Sequence, residues 1–177
     1  MNFYRCLICG DPYGGKEKPS HCPFCGAKSE YIVSAAEWID ENTSIATLSN
    51  ISRKNLERTL QLEVNNTAFY RDAMGRTKDI ELQGIFKYLS KVEGEHASVV
   101  KKILKCEAPN PEPGKEVASD NDHENLKRAQ ELEKFAAKFY SQAAGEAVEP
   151  RVKKVFIALS TIESEHIRIE GELLTRK

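Results

Sequence analysis

The chain has 177 residues, enough for one fair-sized core or for a modest core with a small appended module. A formal net charge of −1 gives no general attraction to nucleic acid or to an anionic membrane surface, and no apolar run approaches the length needed to span a bilayer. The opening Met1–Cys6 stretch lacks the apolar run of a signal peptide, so a cytoplasmic protein without nucleic-acid or membrane partners is expected.

Residues 1–33 hold Cys6, Cys9, Cys22 and Cys25 with three of the seven prolines and four of the ten glycines. Short apolar runs at Phe3-Tyr4 and Tyr31-Ile32-Val33 could pair as strands. Two Cys-x-x-Cys knuckles separated by twelve residues make a four-thiolate tetrahedral metal site. Each knuckle runs into a glycine, Gly10 or Gly26, which permits the tight turn and lets backbone amides point at sulfur. A reducing compartment disfavours disulfides, which fits metal or redox chemistry here. His21 reads as an exposed neighbour of Cys22, and Cys106 as a small buried or half-buried apolar residue on a helix. In the linker, residues 34–51, Ser34-Ala35-Ala36-Glu37 fits a capping box and predicts a short helix through Trp38 and Ile39 that docks the module.

Residues 52–177 read as four helices forming a bundle. The first carries Leu56, Leu60, Glu63, Thr67 and Tyr70 on one face and should end near Gly75. The second carries Leu82, Phe86, Leu89, Glu93, His96, Val100 and Ile103 on one stripe. Between it and the third, Glu107 to about Asp122 contains Pro109, Pro111, Pro113 and Gly114 and cannot be helical. About 16 extended residues reach roughly 50 Å, enough to run the length of a helix of roughly 40 Å. That crossover distinguishes a ferritin-like bundle from a simple up-down one. The third helix carries Leu126, Gln130, Glu133, Ala137 and Tyr140; the fourth opens at Pro150 and carries Val152, Phe156, Leu159, Glu163, His166 and Leu173.

The two hairpins are copies. Glu63, Tyr70, Glu93 and His96 recur 70 residues later as Glu133, Tyr140, Glu163 and His166. Glu and His at i and i+3 stand one above the other on a helix face, so each copy offers one single carboxylate and one Glu-x-x-His pair. Four carboxylates and two imidazoles are the ligand set of a dinuclear site inside a bundle. Without compensation, four ionised carboxylates on core-facing stripes would repel strongly, whereas two divalent ions cancel their charge. A single Glu-x-x-His usually marks a solvated helix face; here all six residues lie on the Leu/Phe/Val stripes. Glu95 and Glu165 lie off the stripe and read as solvated, and Glu170, opposite Val100 in the other copy, reads as rim polarity. Tyr70 and Tyr140 need hydroxyl partners near the ligating carboxylates, either as packing residues or as electron suppliers.

With these motifs the chain resembles the rubrerythrin family. Glu63 to Tyr70, Glu93-Gly94-Glu95-His96, Glu133 to Tyr140 and Glu163-Ser164-Glu165-His166 are similar to its di-iron bundle, and Cys6-Leu7-Ile8-Cys9-Gly10 with Cys22-Pro23-Phe24-Cys25-Gly26 to its rubredoxin-type module. The module leads the chain, the order of the reverse rubrerythrins. The resemblance implies a cytoplasmic enzyme that reduces hydrogen peroxide, or oxygen, to water. It implies one mononuclear iron at the cysteines, one di-iron centre, and a homodimer in which the two sites approach between subunits. Electrons would come from an NAD(P)H-linked reductase or a rubredoxin. One departure stands out. The family's extra carboxylate, one turn after Glu133, would fall at position 136, which is Ala136, and Gln130, one turn before Glu133, is a poor iron ligand. His96 is then expected to stay bound throughout, in a symmetric centre, with Gln130 hydrogen-bonding near it. A ferroxidase, and a non-enzymatic binding protein stapled by zinc at the cysteines, are the alternatives.

Overall fold

The computed structural model describes residues 1–176. Its architecture is mainly helical, a four-helix bundle carrying a small antiparallel sheet at the N-terminal end. Strand β1 (Asn2–Cys6) lies between β2 (Pro12–Gly15) and β3 (Ile32–Ser34). Tyr4 faces Ser34 and Cys6 faces Ile32 across the β1–β3 pair, so the ladder delivers the first cysteine into its knuckle.

Three of the four long helices begin at a side chain that accepts their free amides. Ser49 caps α1 (Asn50–Arg76), Asp79 caps α2 (Ile80–Leu104), and Asn121 caps α3 (Asp122–Glu146). Helix α4 (Pro150–Thr175) starts instead on Pro150, whose missing N–H costs nothing in the first turn. Helices α1 and α2 pack along each other as one hairpin and α3 and α4 as the other. The crossover runs along α1 toward its C-terminal end. Asn65 binds both the Glu112 amide and its carboxylate at 2.9 Å, Asp72 accepts from the Ala118 amide at 2.8 Å, and Arg76 reaches Asp120 at 2.9 Å. Thr77 then bonds Asp122 at 2.9 Å, so α3 starts beside the end of α1 and runs parallel to α2. No helix among the described residues is long and apolar enough to cross a membrane.

Two expectations are corrected. No helix forms at Trp38 and Ile39; the turn after β3 leads to a single 3-10 turn at Glu41–Ser44, capped by Asp40. Ser34 is committed to the β1–β3 ladder and cannot cap a helix. Trp38 docks the segment by other means, donating from Nε1 to the Cys6 carbonyl at 3.0 Å while the Arg5 guanidinium lies 3.4 Å from its ring centre. Cys106 is exposed, beyond the end of α2, because Lys105 takes the left-handed conformation (φ 54°) that closes the helix.

Candidate metal centres

The ferritin-like stripes deliver their six expected ligands to one sealed place. Glu63, Glu93, His96, Glu133 and Glu163 are fully buried and His166 nearly so. Ligand atoms of Glu63, Glu93, His96 and Glu163 lie within 4.8 Å of one another, and so do those of Glu93, Glu133, Glu163 and His166. Glu93 and Glu163 belong to both groups. His96 Nδ1 lies 3.3 Å from Glu93 Oε2 and 3.2 Å from Glu163 Oε1, while His166 Nδ1 lies 3.3 Å from Glu93 Oε1 and 2.9 Å from Glu163 Oε2. The two Glu-x-x-His carboxylates thus each present one oxygen to either half. Glu63 and Glu133 close the ends, 3.7 and 3.8 Å from the nearer histidine.

Glu63 Oε2, Glu93 Oε1, Glu133 Oε2, both oxygens of Glu163 and His166 Nδ1 are buried without a hydrogen-bond partner. Buried polar atoms are seldom left so. Burial pushes the Glu63 and Glu133 carboxyls well up, with repulsion from Glu93 adding to it. Burial works against charge on His96 and His166 too, yet the surrounding carboxylates raise both well above the ordinary imidazole value. Such a cluster of anionic oxygens and imidazole nitrogens fits two cations, each reached by two or more oxygens and one nitrogen.

The tyrosines interlock the copies. Tyr140 Oη of the second donates to Glu63 Oε1 of the first at 2.5 Å, and Tyr70 of the first bonds Glu133 of the second. Around them the packing repeats as well: Tyr70 stacks on Phe86 and Tyr140 on Phe156, with ring centres 6.2 and 6.1 Å apart. Gln130 does not bond a carboxylate of the centre. Its Nε2 lies 3.4 Å from the Ile167 carbonyl, and its Oε1 accepts from Lys134 at 2.7 Å. Ala136 is buried and offers no ligand.

Glu170 is a correction. It is not rim polarity but fully buried, with Oε1 2.7 Å from the Tyr70 hydroxyl and Oε2 unpartnered. Its position one turn past His166, on the same stripe, is the sequence signal for this; the apolar Val100 at the matching place in the other copy masks it.

The four sulfurs form the other cluster. Cys6 Sγ and Cys25 Sγ are 3.8 Å apart and Cys9 Sγ and Cys22 Sγ 3.7 Å, with no disulfide. A tetrahedron with metal–sulfur bonds of about 2.3 Å has edges of about 3.8 Å, so the cysteines fit a single ion. The Ile8 amide donates to Cys6 Sγ at 3.3 Å and the Asp11 amide to Cys9 Sγ at 3.4 Å. Gly10 (φ 86°) and Gly26 (φ 76°) supply the left-handed turns.

The bundle grips both knuckles, which the sequence did not reveal. Arg151, buried at the start of α4, donates to the Leu7 and Ile8 carbonyls, both at 2.7 Å, and to Asn42 at 2.8 Å. Lys102 of α2 donates to the Cys9 carbonyl at 3.0 Å. Glu165, expected to be solvated, pairs with His21 at 3.3 Å and Lys28 at 3.4 Å, again tying module to bundle. The second knuckle reaches the centre itself: His96 Nε2 lies 3.0 Å from the Cys25 carbonyl. A carbonyl only accepts, so Nε2 carries a hydrogen and Nδ1 is the nitrogen turned to the carboxylates, the one that could bind a cation. This approach lies within one chain.

A model of the ferritin-like domain matches residues 53–174. The chain belongs to the ferritin-like domain family. The ferritin-like chain is also similar to reverse rubrerythrin-1 of Clostridium acetobutylicum, 29% identical over 115 residues, 59% of this chain and 62% of that protein. The match thus spans less than two thirds of that relative's length. The leading four-cysteine cluster before a ferritin-like bundle is the reverse rubrerythrin order. A hypothetical protein from Pyrococcus furiosus shares the fold, with a TM-score of 0.62 at 18% identity over 75% of this chain and 92% of that one.

Proposed function

We propose that this protein is a cytoplasmic non-haem di-iron oxidoreductase that reduces hydrogen peroxide to water, with electrons arriving through an iron at the four cysteines. The observation that carries this reading is the hydrogen bond from His96 Nε2 to the Cys25 carbonyl, 3.0 Å long, which leaves one ligand residue of each site in direct contact. Cys6, Cys9, Cys22 and Cys25 would hold one iron, and Glu63, Glu93, His96, Glu133, Glu163 and His166 the pair. Iron at these places supplies one-electron exchange at the cysteines and two-electron reduction of a peroxide O–O bond at the pair. Zinc at the cysteines has no redox chemistry, so it could orient His96 through that contact but pass no electron across it.

The chain's own residues supply orientation and exclusion of water. The Cys25 carbonyl fixes the tautomer and ring plane of His96. Tyr140 holds Glu63, and Tyr70 holds Glu133, so neither terminal carboxylate can swing freely. Phe69, Phe86, Phe156, Leu89 and Leu159 are fully buried around them and keep the interior dry. The electron donor in this reading is an NAD(P)H-linked reductase or a rubredoxin, and the working form is a homodimer.

Anaerobic purification with metal counting, followed by stopped-flow addition of peroxide to the reduced protein, tests the reading. Three irons per chain and stoichiometric peroxide consumption are expected, with repeated turnover lost when zinc replaces iron at the cysteines. Zinc in the module of the protein as isolated, with no peroxide consumed, would overturn it. Iron uptake beyond three per chain would point to ferroxidase instead.

A further inference from the structure

The two tyrosines look equivalent, but their hydrogen-bond counts differ. Tyr140 Oη meets one carboxylate, Glu63. Tyr70 Oη meets two, Glu133 Oε1 and Glu170 Oε1, the latter at 2.7 Å. A hydroxyl has one proton to donate. Three oxygens joined by two hydrogen bonds need two protons, so one must sit on a carboxyl. Glu133 belongs to the ligand cluster and binds a cation as an anion. The second proton therefore belongs to Glu170, which donates from Oε1 to Tyr70 Oη while Tyr70 donates to Glu133 Oε1. Glu170 is fully buried and its Oε2 has no partner, an arrangement that suits a neutral acid and penalises a carboxylate. In the other copy Val100 takes this place, and no proton is stored.

We propose that Glu170 is the proton donor of the centre, passing its proton through the Tyr70 hydroxyl to Glu133. The Glu170 Oε1–H bond breaks as a new Tyr70 Oη–H bond forms, and Tyr70's original proton moves to Glu133 Oε1. Glu133 Oε2, which has no hydrogen-bond partner, is left for the ion. This rests on the peroxide-reduction reading. Reducing one peroxide to two waters consumes two electrons and two protons; Glu133 hands one proton on to a peroxide oxygen as the O–O bond breaks and becomes anionic again, and the other proton comes from solvent, which also restores Glu170 between turnovers. Burial pushes the Glu170 carboxyl up to about 8, the direction a stored proton requires.

The iron-loaded protein gives a readout that does not depend on turnover. With the six ligands bound to iron their carboxyls are ionised, so the infrared carbonyl-stretch band of a buried carboxylic acid reports Glu170. That band, shifted in heavy water, is expected in the wild type and absent from Glu170→Gln and Glu170→Val, with iron content unchanged. A band that persists in both variants would refute the assignment. In single-turnover peroxide reduction, Glu170→Val and Tyr70→Phe should each slow proton uptake about 10²-fold, within the range for a positioned general acid. The double variant should be no slower than either single one. Wild-type rates in Glu170→Val would overturn the relay and leave the peroxide reading standing. A wild type that shows the band but reduces no peroxide would overturn that reading and the donor role with it.

Discussion

Replacing Arg151 with Ala should detach the cysteine module from the bundle. The guanidinium is buried and donates to the Leu7 and Ile8 carbonyls at 2.7 Å each and to Asn42 at 2.8 Å; Glu41 lies 3.7 Å away. Bonds from a charged donor contribute about 1.5–3 kcal/mol apiece. Counting the two carbonyl bonds, and allowing water to reach part of the vacated space, the loss should be about 3–5 kcal/mol, a large fraction of a domain's typical 5–15 kcal/mol. Arg151→Lys can replace one of the two bonds, so it should lose about half as much. In urea denaturation of the metal-loaded protein, a slope of about 2 kcal/mol per molar turns that loss into a midpoint shift of about 2 M. Hydrogen exchange should localise the effect, with the Ile8 and Gly10 amides losing protection while the α2 and α3 amides keep theirs until global unfolding. A change below about 0.5 kcal/mol, the usual size at an ordinary surface site, would refute the claim that Arg151 holds the first knuckle.

Gly26→Ala places a Cβ at φ 76°, 3.1 Å from Ile162 Cγ2, and should lower the melting point by several degrees, a cost of about 1–2 kcal/mol. Tyr140→Phe removes the 2.5 Å donor to Glu63 and should destabilise the metal-loaded protein by about 1–3 kcal/mol in the same urea assay. Metal-free protein should lose stability as pH rises, because a carboxyl whose pKa is raised in the folded state stabilises it below the unfolded pKa and stops doing so as pH climbs through the folded one. For Glu170 that window runs from 4.5 to about 8. Glu170→Gln should therefore flatten the fall in urea midpoint across it, which amounts to on the order of 5 kcal/mol in the parent chain. An unchanged slope would mean Glu170 is not the group that titrates.

The bundle was legible in the sequence because a 70-residue repeat placed Glu63, Glu93 and His96 and their copies on stripes that only a buried interior explains. Proline spacing between α2 and α3 gave the crossover. The linker was not legible. Ser34-Ala35-Ala36-Glu37 satisfies a helix-start pattern, but Ser34 is held by pairing with Tyr4, a contact made 30 residues away in sequence. Arg151 and Lys102 carry no pattern at all: their role is to meet carbonyl oxygens of the cysteine knuckles, and backbone acceptors look the same at every residue. Glu170 lies on the stripe too, but its counterpart is Val100, so the repeat alone gives it no place in the centre.

The Glu170–Val100 mismatch shows where the repeat misleads. Six ligands obey the twofold relation, and they would make a centre with two equal ends. Two features outside the ligand set break it, at opposite ends. The cysteine module touches His96 through the Cys25 carbonyl, and no such bond from His166 occurs among the described residues. Glu170 reaches Tyr70 and through it Glu133, while Tyr140 bonds Glu63 alone. Under the proposed function, electrons arrive at the end closed by Glu63 and His96, and a stored proton at the end closed by Glu133 and His166. Ala136 removes one source of inequality from α3, and α4 supplies another. On that reading, the direction of the chemistry is set by residues that the repeat does not copy.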